Sequence, residues 1–236
     1  MKSVDIVIPI YYGNLDEIEA SVKRQVDFYK KNLNNYDWKI ILGLNGLDKD
    51  GILIKVKEIC EKYQNIKFDY TEEQGRGASL DQVFMNSVAD FVCYMDVDLA
   101  TGLDALPRML KELKDYDLVV GSKYMDGASY KRNLIRYILS KTYNSIFTKL
   151  ILNTKFTDAQ CGFKGIKTKV AKVIIPLIED KGWFWDTELL FITKKKGYKI
   201  KEIPVKWAEK NNSGVRIFKT VINFISKTIK LKYRNI

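Results

Sequence analysis

The sequence predicts an α/β fold in which a mostly parallel sheet is flanked by helices and followed by a C-terminal amphipathic helix. Short apolar runs alternate with segments of helical periodicity through the first half of the chain. Several of these runs end in polar turns that contain glycine or asparagine. With 236 residues, 46% hydrophobic content and no Pro- or Gly-rich linker, the chain is long enough to bury one substantial core.

The first half of the chain predicts four strands separated by three helices. Residues 4–10 are a short apolar run with Pro9 near its end, where a strand needs no ladder donor. Residues 16–31 have apolar side chains at helical spacings of four, four and three. The elements that follow are strand 38–44, helix 52–63, strand 66–70, helix 78–89 and an apolar strand that runs from residue 91 to residue 98. This alternation predicts parallel strands joined by right-handed crossovers.

The second half begins with a helix at 103–113 and a short strand at 117–120. Residues 133–152 predict a helix with a wide apolar face, which can be buried, dimeric or interfacial. A helix at 170–178 should end or kink at Pro176, and another begins after the aromatic cluster Trp183-Phe184-Trp185 and ends near residue 196. Residues 198–207 predict a strand pair or a strand bent around Pro204.

The last predicted element is a basic amphipathic helix at 215–233, so we divide the chain into a domain of residues 1–214 and an appended helix of residues 215–236. Its apolar face contains Ile217, Phe218, Val221, Ile222, Ile225 and Ile229. Such a helix can lie in a membrane interface, pack on its own domain or contact a partner in a homo-oligomer.

Composition excludes several kinds of chemistry. The chain has no histidine, which excludes Ser-His and Cys-His nucleophilic catalysis. Its three widely spaced cysteines form neither a disulfide framework nor a zinc signature, which favours a reducing cytoplasm. The N-terminal apolar run is too short for a signal peptide, and no window is long enough to span a membrane. We expect a cytoplasmic protein that can lie on a membrane without crossing it.

The net charge of +11 is distributed unevenly along the chain. Residues 1–110 contain 13 Lys or Arg and 18 Asp or Glu, whereas residues 111–236 contain 27 and 11. This asymmetry indicates that the second half faces an anionic partner such as lipid head groups, a phosphorylated acceptor or nucleic acid.

Asp96 and Asp98 end the fourth predicted strand. Side chains two apart on a strand share a face, so both carboxylates reach one small volume if the strand continues to Asp98. Two close carboxylates favour Mg²⁺ or Mn²⁺, with substrate phosphates completing the coordination. The alternative interpretation is a strand end followed by a helix N-cap.

Other polar segments should lie at the same edge of the sheet, because the carboxyl ends of parallel strands meet there. They are Tyr11-Tyr12-Gly13, Asn45-Gly46 and Gly75-Arg76-Gly77. The last of these can also be a simple turn. Asp186 and Glu188 begin a helix, where they act either as first-turn acids that favour the helix dipole or as a second acidic site facing the pocket.

Six motifs in register make the chain resemble the family 2 glycosyltransferases of GT-A fold, in particular the branch of dolichyl-phosphate glucose and mannose synthases. The resemblance covers nearly the whole chain. The motifs are Gly75-Arg76-Gly77-Ala78, Met95-Asp96-Val97-Asp98-Leu99, Val120-Gly121-Ser122-Lys123-Tyr124, Asp158-Ala159-Gln160-Cys161-Gly162-Phe163-Lys164, Asp186-Thr187-Glu188-Leu189-Leu190 and Glu202-Ile203-Pro204-Val205-Lys206-Trp207.

The resemblance implies roles for these residues. Asp98 is the main ligand of a divalent cation that bridges the diphosphate of a nucleotide sugar, and Asp96 lies toward the ribose, the sugar or the metal. Arg76 and Lys123 hold phosphate oxygens, although relatives often have Arg at the second position. The remaining implied donor-binding residues are Pro9, Tyr11 and Asn45.

Three departures from the family pattern concern the donor. The turn after the second strand reads Asn45-Gly46-Leu47-Asp48-Lys49-Asp50, so it stays open which acid, if any, meets the base of the nucleotide. The polar residues expected after the first strand are displaced into Tyr11-Tyr12-Gly13-Asn14. Ala100 stands where mannose synthases can offer Gln, which favours the glucose-synthase branch or a relative with another donor.

The acceptor side is implied in the same way. A lipid monophosphate is already an anionic nucleophile and needs positive charge rather than a base. We therefore expect inverting transfer of a hexose from a UDP- or GDP-linked donor to polyprenyl phosphate at an anionic membrane surface. The expected catalytic residues are Asp96, Asp98, Asp186 and Glu188. The expected acceptor-binding residues are Arg132, Arg136, Asp158, Gln160 and Arg216.

Three other functions stay open. A glycosyltransferase of capsule, lipopolysaccharide or other cell-surface polysaccharide synthesis would use Asp186 or Glu188 as a base toward a glycan hydroxyl. A metal-dependent nucleotidyltransferase would need a Gly-rich basic loop after the first strand, and this sequence lacks one. A non-catalytic nucleic-acid-binding protein would be expected to have an aromatic-basic recognition motif, and none is evident.

Overall fold

The computed structural model describes residues 1–10, 15–46, 51–131, 141–142, 152–154, 156–208 and 217–236. The strands in chain order are β1 Lys2–Ile10, β2 Tyr36–Asn45, β3 Ile66–Thr71, β4 Phe91–Met95, β5 Leu118–Ser122, β6 Ser129–Lys131, β7 Phe163–Lys167, β8 Ile200–Pro204 and β9 Lys206–Ala208. The helices are α1 Leu15–Asn32, α2 Ile52–Lys62, α3 Arg76–Asn86, α4 Ala105–Glu112, α5 Thr168–Ile174, α6 Trp185–Lys195 and α7 Ile217–Tyr233.

Seven strands form one mostly parallel sheet in the order β3-β2-β1-β4-β7-β5-β8, which confirms the predicted fold class. Strands β3, β2, β1 and β4 run parallel, as do β5 and β8. Strands β6 and β9 form a separate two-stranded parallel ladder. The core lies between the sheet and its helices, and the apolar residues of β1, β2 and β4 are almost all buried there.

Strand β7 was missed by the sequence analysis. It lies between β4 and β5 and runs antiparallel to both. Its sequence, Phe-Lys-Gly-Ile-Lys, is short and interrupted by a glycine and a buried lysine, so it lacks the apolar run of the other central strands. Helix α5 ends at Ile174, and Pro176 follows in a 3-10 turn, as predicted.

The expectation that extended strand geometry continues to Asp98 was wrong. Strand β4 ends at Met95, and the chain turns at once. The backbone N–H of Leu99 donates to the carbonyl of Asp96 at 3.1 Å, and Leu99 has a left-handed φ of 53°. The two carboxylates are therefore brought together by a tight turn and not by a shared strand face.

Helix α7 packs on the domain through the part whose side chains are described. Thr228 and Leu231 are buried, and the ring of Phe224 lies 5.5 Å from that of Phe184. This buried face differs from the predicted one, because Ile229 is 45% exposed. The predicted helix at 133–152 lies almost entirely outside the described residues. No helix among the described residues is long and apolar enough to cross a membrane.

We expect Leu231→Ala to lower the free energy of unfolding by about 2–4 kcal/mol, because it leaves a cavity under α7. The matched control Ile229→Ala removes a partly exposed side chain from the same helix and should cost clearly less. Chemical denaturation of the two variants measures the difference. Equal losses would contradict the packing described for this helix.

Candidate active site

Asn45, at the end of β2, connects the end of β1 to the start of α3 by hydrogen bonds. Its side-chain amide donates to the carbonyl of Ile10 at 3.0 Å, and its side-chain oxygen accepts the backbone N–H of Gly75 at 3.1 Å. The ends of β1 and β2 and the beginning of α3 therefore meet at one point. Pro9 lies within β1 and is buried, in register with Gly43 of β2.

The glycines on either side of Arg76 are required by close packing against residue Lys181. The backbone N–H of Gly77 donates to the carbonyl of Lys181 at 2.8 Å. A Cβ at Gly75 would lie 2.0 Å from that carbonyl oxygen, and Gly75 also has a φ of 131°. A Cβ at Gly77 would lie 2.7 Å from Cδ1 of Trp185. The predicted turn is therefore a contact point that directs Arg76 into the site.

Arg76 bridges two carboxylates. Its Nε and Nη2 donate to Oδ1 of Asp96 at 3.1 and 3.0 Å, and its Nη1 donates to Oδ2 of Asp186 at 2.7 Å. The guanidinium carbon lies 4.7 Å from the ring centre of Tyr94 and 5.3 Å from that of Trp183. These contacts hold the side chain, which is only 9% exposed, in one orientation.

Asp186 is buried and its two oxygens have different partners. Oδ1 accepts from Lys164 Nζ at 2.5 Å and from the hydroxyl of Tyr94, while Oδ2 accepts from Arg76. Burial opposes ionisation of this carboxyl, but the charges of Lys164 and Arg76 outweigh it and lower its pKa. A carboxylate with a lowered pKa and both oxygens bound is a weak candidate for a general base.

One charged cluster contains Arg76, Lys164 and the carboxylates of Asp96, Asp98 and Asp186. Of these carboxylates, Asp98 has no ion pair among the described residues. Its Oδ1 accepts the backbone N–H of Ala100 at 2.9 Å. Loss of hydration raises the pKa of Asp96, the charges of Asp98 and Asp186 add to the rise, and Arg76 offsets part of it. The cluster of Arg76 and Lys164 with three carboxylates has a formal charge of −1, which favours a cation beside Asp98.

The surroundings of the acidic pair fit a divalent ion that is completed by a substrate. A Cβ at Gly162 would lie 1.8 Å from Oδ2 of Asp96, so only glycine leaves room for this carboxylate. Among the residues that the structure describes, no three His, Cys, Asp or Glu side chains form a group that could hold a metal. Mg²⁺ commonly takes one or two carboxylates and fills its remaining positions with phosphate oxygens and water. Asp98, with Asp96 beside it, suits that mode.

Lys123 and Asp158 form a buried ion pair with 2.6 Å between Nζ and Oδ2. Burial opposes protonation of the ammonium, but the charge of Asp158 outweighs it and raises the pKa of Lys123. Oδ1 of Asp158 has no hydrogen-bond partner among the described atoms. Because Asp158 is fully buried, it reaches an acceptor less readily than the sequence suggested and instead neutralises Lys123.

Glu188 holds a neighbouring chain segment. Its Oε2 accepts the backbone N–H groups of Glu179 and Asp180, both at 2.8 Å, and its Oε1 accepts from Arg234 at 3.1 Å. Burial raises the pKa of this carboxyl. Gln160 donates to the hydroxyl of Thr187 at 2.6 Å. Glu188 thus has a structural role. The two acids predicted to form a second acidic site at the start of α6 therefore bind different groups, because Asp186 binds Arg76 and Lys164.

The remaining predicted site residues lie outside the described residues. They are Tyr11, Arg132, Arg136 and Arg216. Tyr94 and the roles of Lys164 and Trp183 around Arg76 were not predicted from the sequence. Lys164 stood at the end of a quoted motif and Trp183 began an aromatic cluster, but no local spacing linked either one to residue 76.

This chain is similar in sequence to known glycosyltransferases. The model of the family described as "Glycosyl transferase family 2" matches residues 5–175. Glycosyltransferase AglD of Haloferax volcanii is 27% identical over 96% of this chain, which spans 36% of that protein. A dolichyl-phosphate beta-glucosyltransferase of Trichomonas vaginalis, ALG5C, is 26% identical over 89% of the chain and 65% of its own length. The chain is therefore shorter than these relatives.

Among solved structures, glucosyl-3-phosphoglycerate synthase of Mycobacterium tuberculosis, crystallised with Mn²⁺, UDP and phosphoglyceric acid, has the same fold. The match has a TM-score of 0.70 and covers all of this chain and 80% of that one, at 14% identity. A second structure of that enzyme contains Mg²⁺ and UDP and matches with a TM-score of 0.68.

We expect Asp186→Asn to lower the free energy of unfolding at pH 7 by about 3–5 kcal/mol, because it leaves a buried ammonium without an anionic partner. The folded pKa of Asp186 lies below its unfolded value of about 3.9, so its stabilising effect is complete above that value and disappears as the pH falls. Urea unfolding should therefore show a smaller loss of stability on acidification in the variant than in the wild type.

The control is Asp104→Asn, which removes an exposed ion pair with Lys206 at 3.2 Å. Exposed pairs contribute about 0–1 kcal/mol. If the two variants were equally stable at pH 7, the buried network would not have the importance assigned to it.

Proposed function

The chain belongs to glycosyl transferase family 2, and on this premise we propose that it transfers a hexose from a nucleotide diphosphate sugar to the phosphate of a polyprenyl lipid, with inversion at the anomeric carbon. Relatives similar over most of this chain are named dolichyl-phosphate beta-glucosyltransferases, which supports this acceptor and favours glucose as the sugar.

The observation that carries the proposal is how Asp98, three residues after the end of β4, differs from its neighbouring carboxylates in pairing. Asp96 and Asp186 are paired with Arg76, whereas Asp98 has no ion pair among the described residues. We assign Asp98 as the main ligand of Mg²⁺ or Mn²⁺ and Asp96 as its neighbour. When bound, the ion neutralises the charge that develops on the departing nucleoside diphosphate.

The geometry changes the role proposed for two basic residues. Three N–H groups of Arg76 bind Asp96 and Asp186. Arg76 therefore orients the acidic pair in addition to any contact with the phosphates of the nucleotide sugar. The charge of Lys123 is matched by Asp158. Positive charge for the acceptor phosphate therefore has to come from other residues, and Arg132, Arg136 and Arg216 remain the candidates.

The state of the carboxylates favours a phosphate acceptor over a sugar hydroxyl. A hydroxyl needs a general base, and in this histidine-free chain the base would be a carboxylate. Asp186 has both oxygens bound and a lowered pKa, and Glu188 accepts three hydrogen bonds away from the acidic pair. A lipid phosphate is already ionised at neutral pH and needs neither of them.

We further propose that the protein works at the cytoplasmic face of a membrane. The second half of the chain has a large excess of basic residues, which anionic lipids attract. With Thr228 and Leu231 turned toward the domain, the described part of α7 exposes Ile229, Lys230 and Tyr233. An apolar and basic surface of this kind suits a lipid head-group region.

We expect the wild-type protein to transfer radiolabelled hexose from a nucleotide sugar to polyprenyl phosphate in the presence of Mn²⁺, giving a product that extracts into organic solvent. Asp98→Asn should lower this transfer by at least about 100-fold, because the ion loses its main protein ligand. Asp104→Asn, at the start of α4 and outside the cluster, is the matched control and should keep wild-type turnover.

Two results would count against the proposal. Label found only in a water-soluble glycan would indicate a polysaccharide acceptor. Wild-type turnover and cation dependence in Asp98→Asn would show that the metal site lies elsewhere.

A further inference from the structure

We propose that Lys164 is a positioning residue for sugar transfer, which keeps Arg76 and Asp96 in place through Asp186 and the carbonyl of Cys161. This inference rests on the proposed function and adds a residue to which the family resemblance gave no role. Lys164 is the second residue of β7 and is paired in register with Tyr94 of β4 and Val120 of β5.

The ammonium of Lys164 is almost completely buried, with 1% of the side chain exposed. Its three hydrogens have three acceptors: Oδ1 of Asp186 at 2.5 Å, the carbonyl of Cys161 at 2.7 Å and the hydroxyl of Tyr94 at 3.2 Å. A buried ion pair is rarely better for stability than apolar side chains of similar volume. Stability of the fold alone therefore does not explain a lysine at this position.

The first route from Lys164 to the acidic pair passes through Asp186 and Arg76. Lys164 holds one oxygen of Asp186, and the other oxygen accepts from Nη1 of Arg76 at 2.7 Å. The other edge of the guanidinium then binds Oδ1 of Asp96. The orientation of Asp96 therefore depends on the hydrogen bond by which Lys164 holds Asp186 in place.

The second route passes through the backbone of residues 161–162. Lys164 binds the carbonyl of Cys161, and the next residue, Gly162, lies directly against Oδ2 of Asp96. One ammonium therefore fixes the groups that contact both oxygens of Asp96.

Charge gives a second consequence that general loosening of the fold would not produce. With Lys164 present, the formal charges of the five side chains of the cluster sum to −1, and removal of the ammonium makes the sum −2. A divalent cation should then bind more tightly to the cluster, even though the carboxylates are no longer held in the reactive arrangement. Cation affinity and turnover should change in opposite directions.

The experiment compares Lys164→Met with Lys167→Met. Lys167 lies on the same strand and forms a partly exposed pair with Asp117 at 3.1 Å, away from the acidic pair. Both variants are studied well below their unfolding temperatures. Mn²⁺ binding without substrate is followed by the EPR signal of the free ion, and kcat and KM for the nucleotide sugar are measured separately.

We expect Lys164→Met to bind Mn²⁺ at least about threefold more tightly and to lose at least about tenfold in kcat, as expected when reacting groups are misplaced. Lys167→Met should match the wild type in both. Weaker Mn²⁺ binding in Lys164→Met, or an unchanged kcat, would overturn the inference. If the wild type makes no lipid-linked product, the proposed function fails, whereas the Mn²⁺ measurement still tests the positioning role.

If Lys164→Met does not fold, Tyr94→Phe tests the positioning role through kcat alone, because it leaves the charge of the cluster unchanged. It removes one acceptor of the ammonium and one donor to Asp186 while keeping the ring beside Arg76. We expect a severalfold loss of kcat, measured well below the unfolding temperature of the variant, and wild-type kcat would overturn the inference.

Discussion

The placement of one guanidinium between two carboxylates organises the candidate site. Arg76 begins α3, Asp96 follows β4 and Asp186 lies in the first turn of α6, so a single side chain joins three elements that are distant in the sequence. The pairing is possible because the polar edge of a parallel sheet collects the ends of its strands and the beginnings of the following helices. Among the residues that the structure describes, it leaves Asp98 as the carboxylate of the cluster without an ion pair.

Glycines around this ion pair provide space more than flexibility. Gly75 and Gly77 let the backbone at Lys181 approach α3, and Gly162 leaves room for the carboxylate of Asp96. The Lys181 side chain and the indole N–H of Trp185 both bind Asp81 on α3. These contacts also keep the backbone at Lys181 close to α3. The short glycine-rich motif is therefore explained by packing, and its functional value lies in where that packing directs Arg76.

The same network separates residues that resemble one another in the sequence. Asp186 and Glu188 are two positions apart at the start of one helix, yet the first binds Lys164 and Arg76 while the second binds backbone N–H groups and Arg234. Asp186 has a lowered pKa, and both oxygens of Glu188 are bound by backbone N–H groups and Arg234, so neither is the free carboxyl that a general base requires. This is the reason why the proposed acceptor is one that is already an anion.

The sequence by itself determined the alternation of β1 to β4 with α1 to α3, the acidic pair at 96 and 98, and the family, because apolar periodicity and short motifs are local properties of a chain. It did not reveal β7, whose lysine and glycine interrupt the apolar pattern. Only the tertiary structure decided that Arg76 pairs with Asp186, 110 residues away, that Lys164 supports this pair, and that Glu188 has a structural role. The physical reason is that a buried charge is stabilised by whichever counter-charge the fold brings within about 3 Å, and local spacing does not encode that distance.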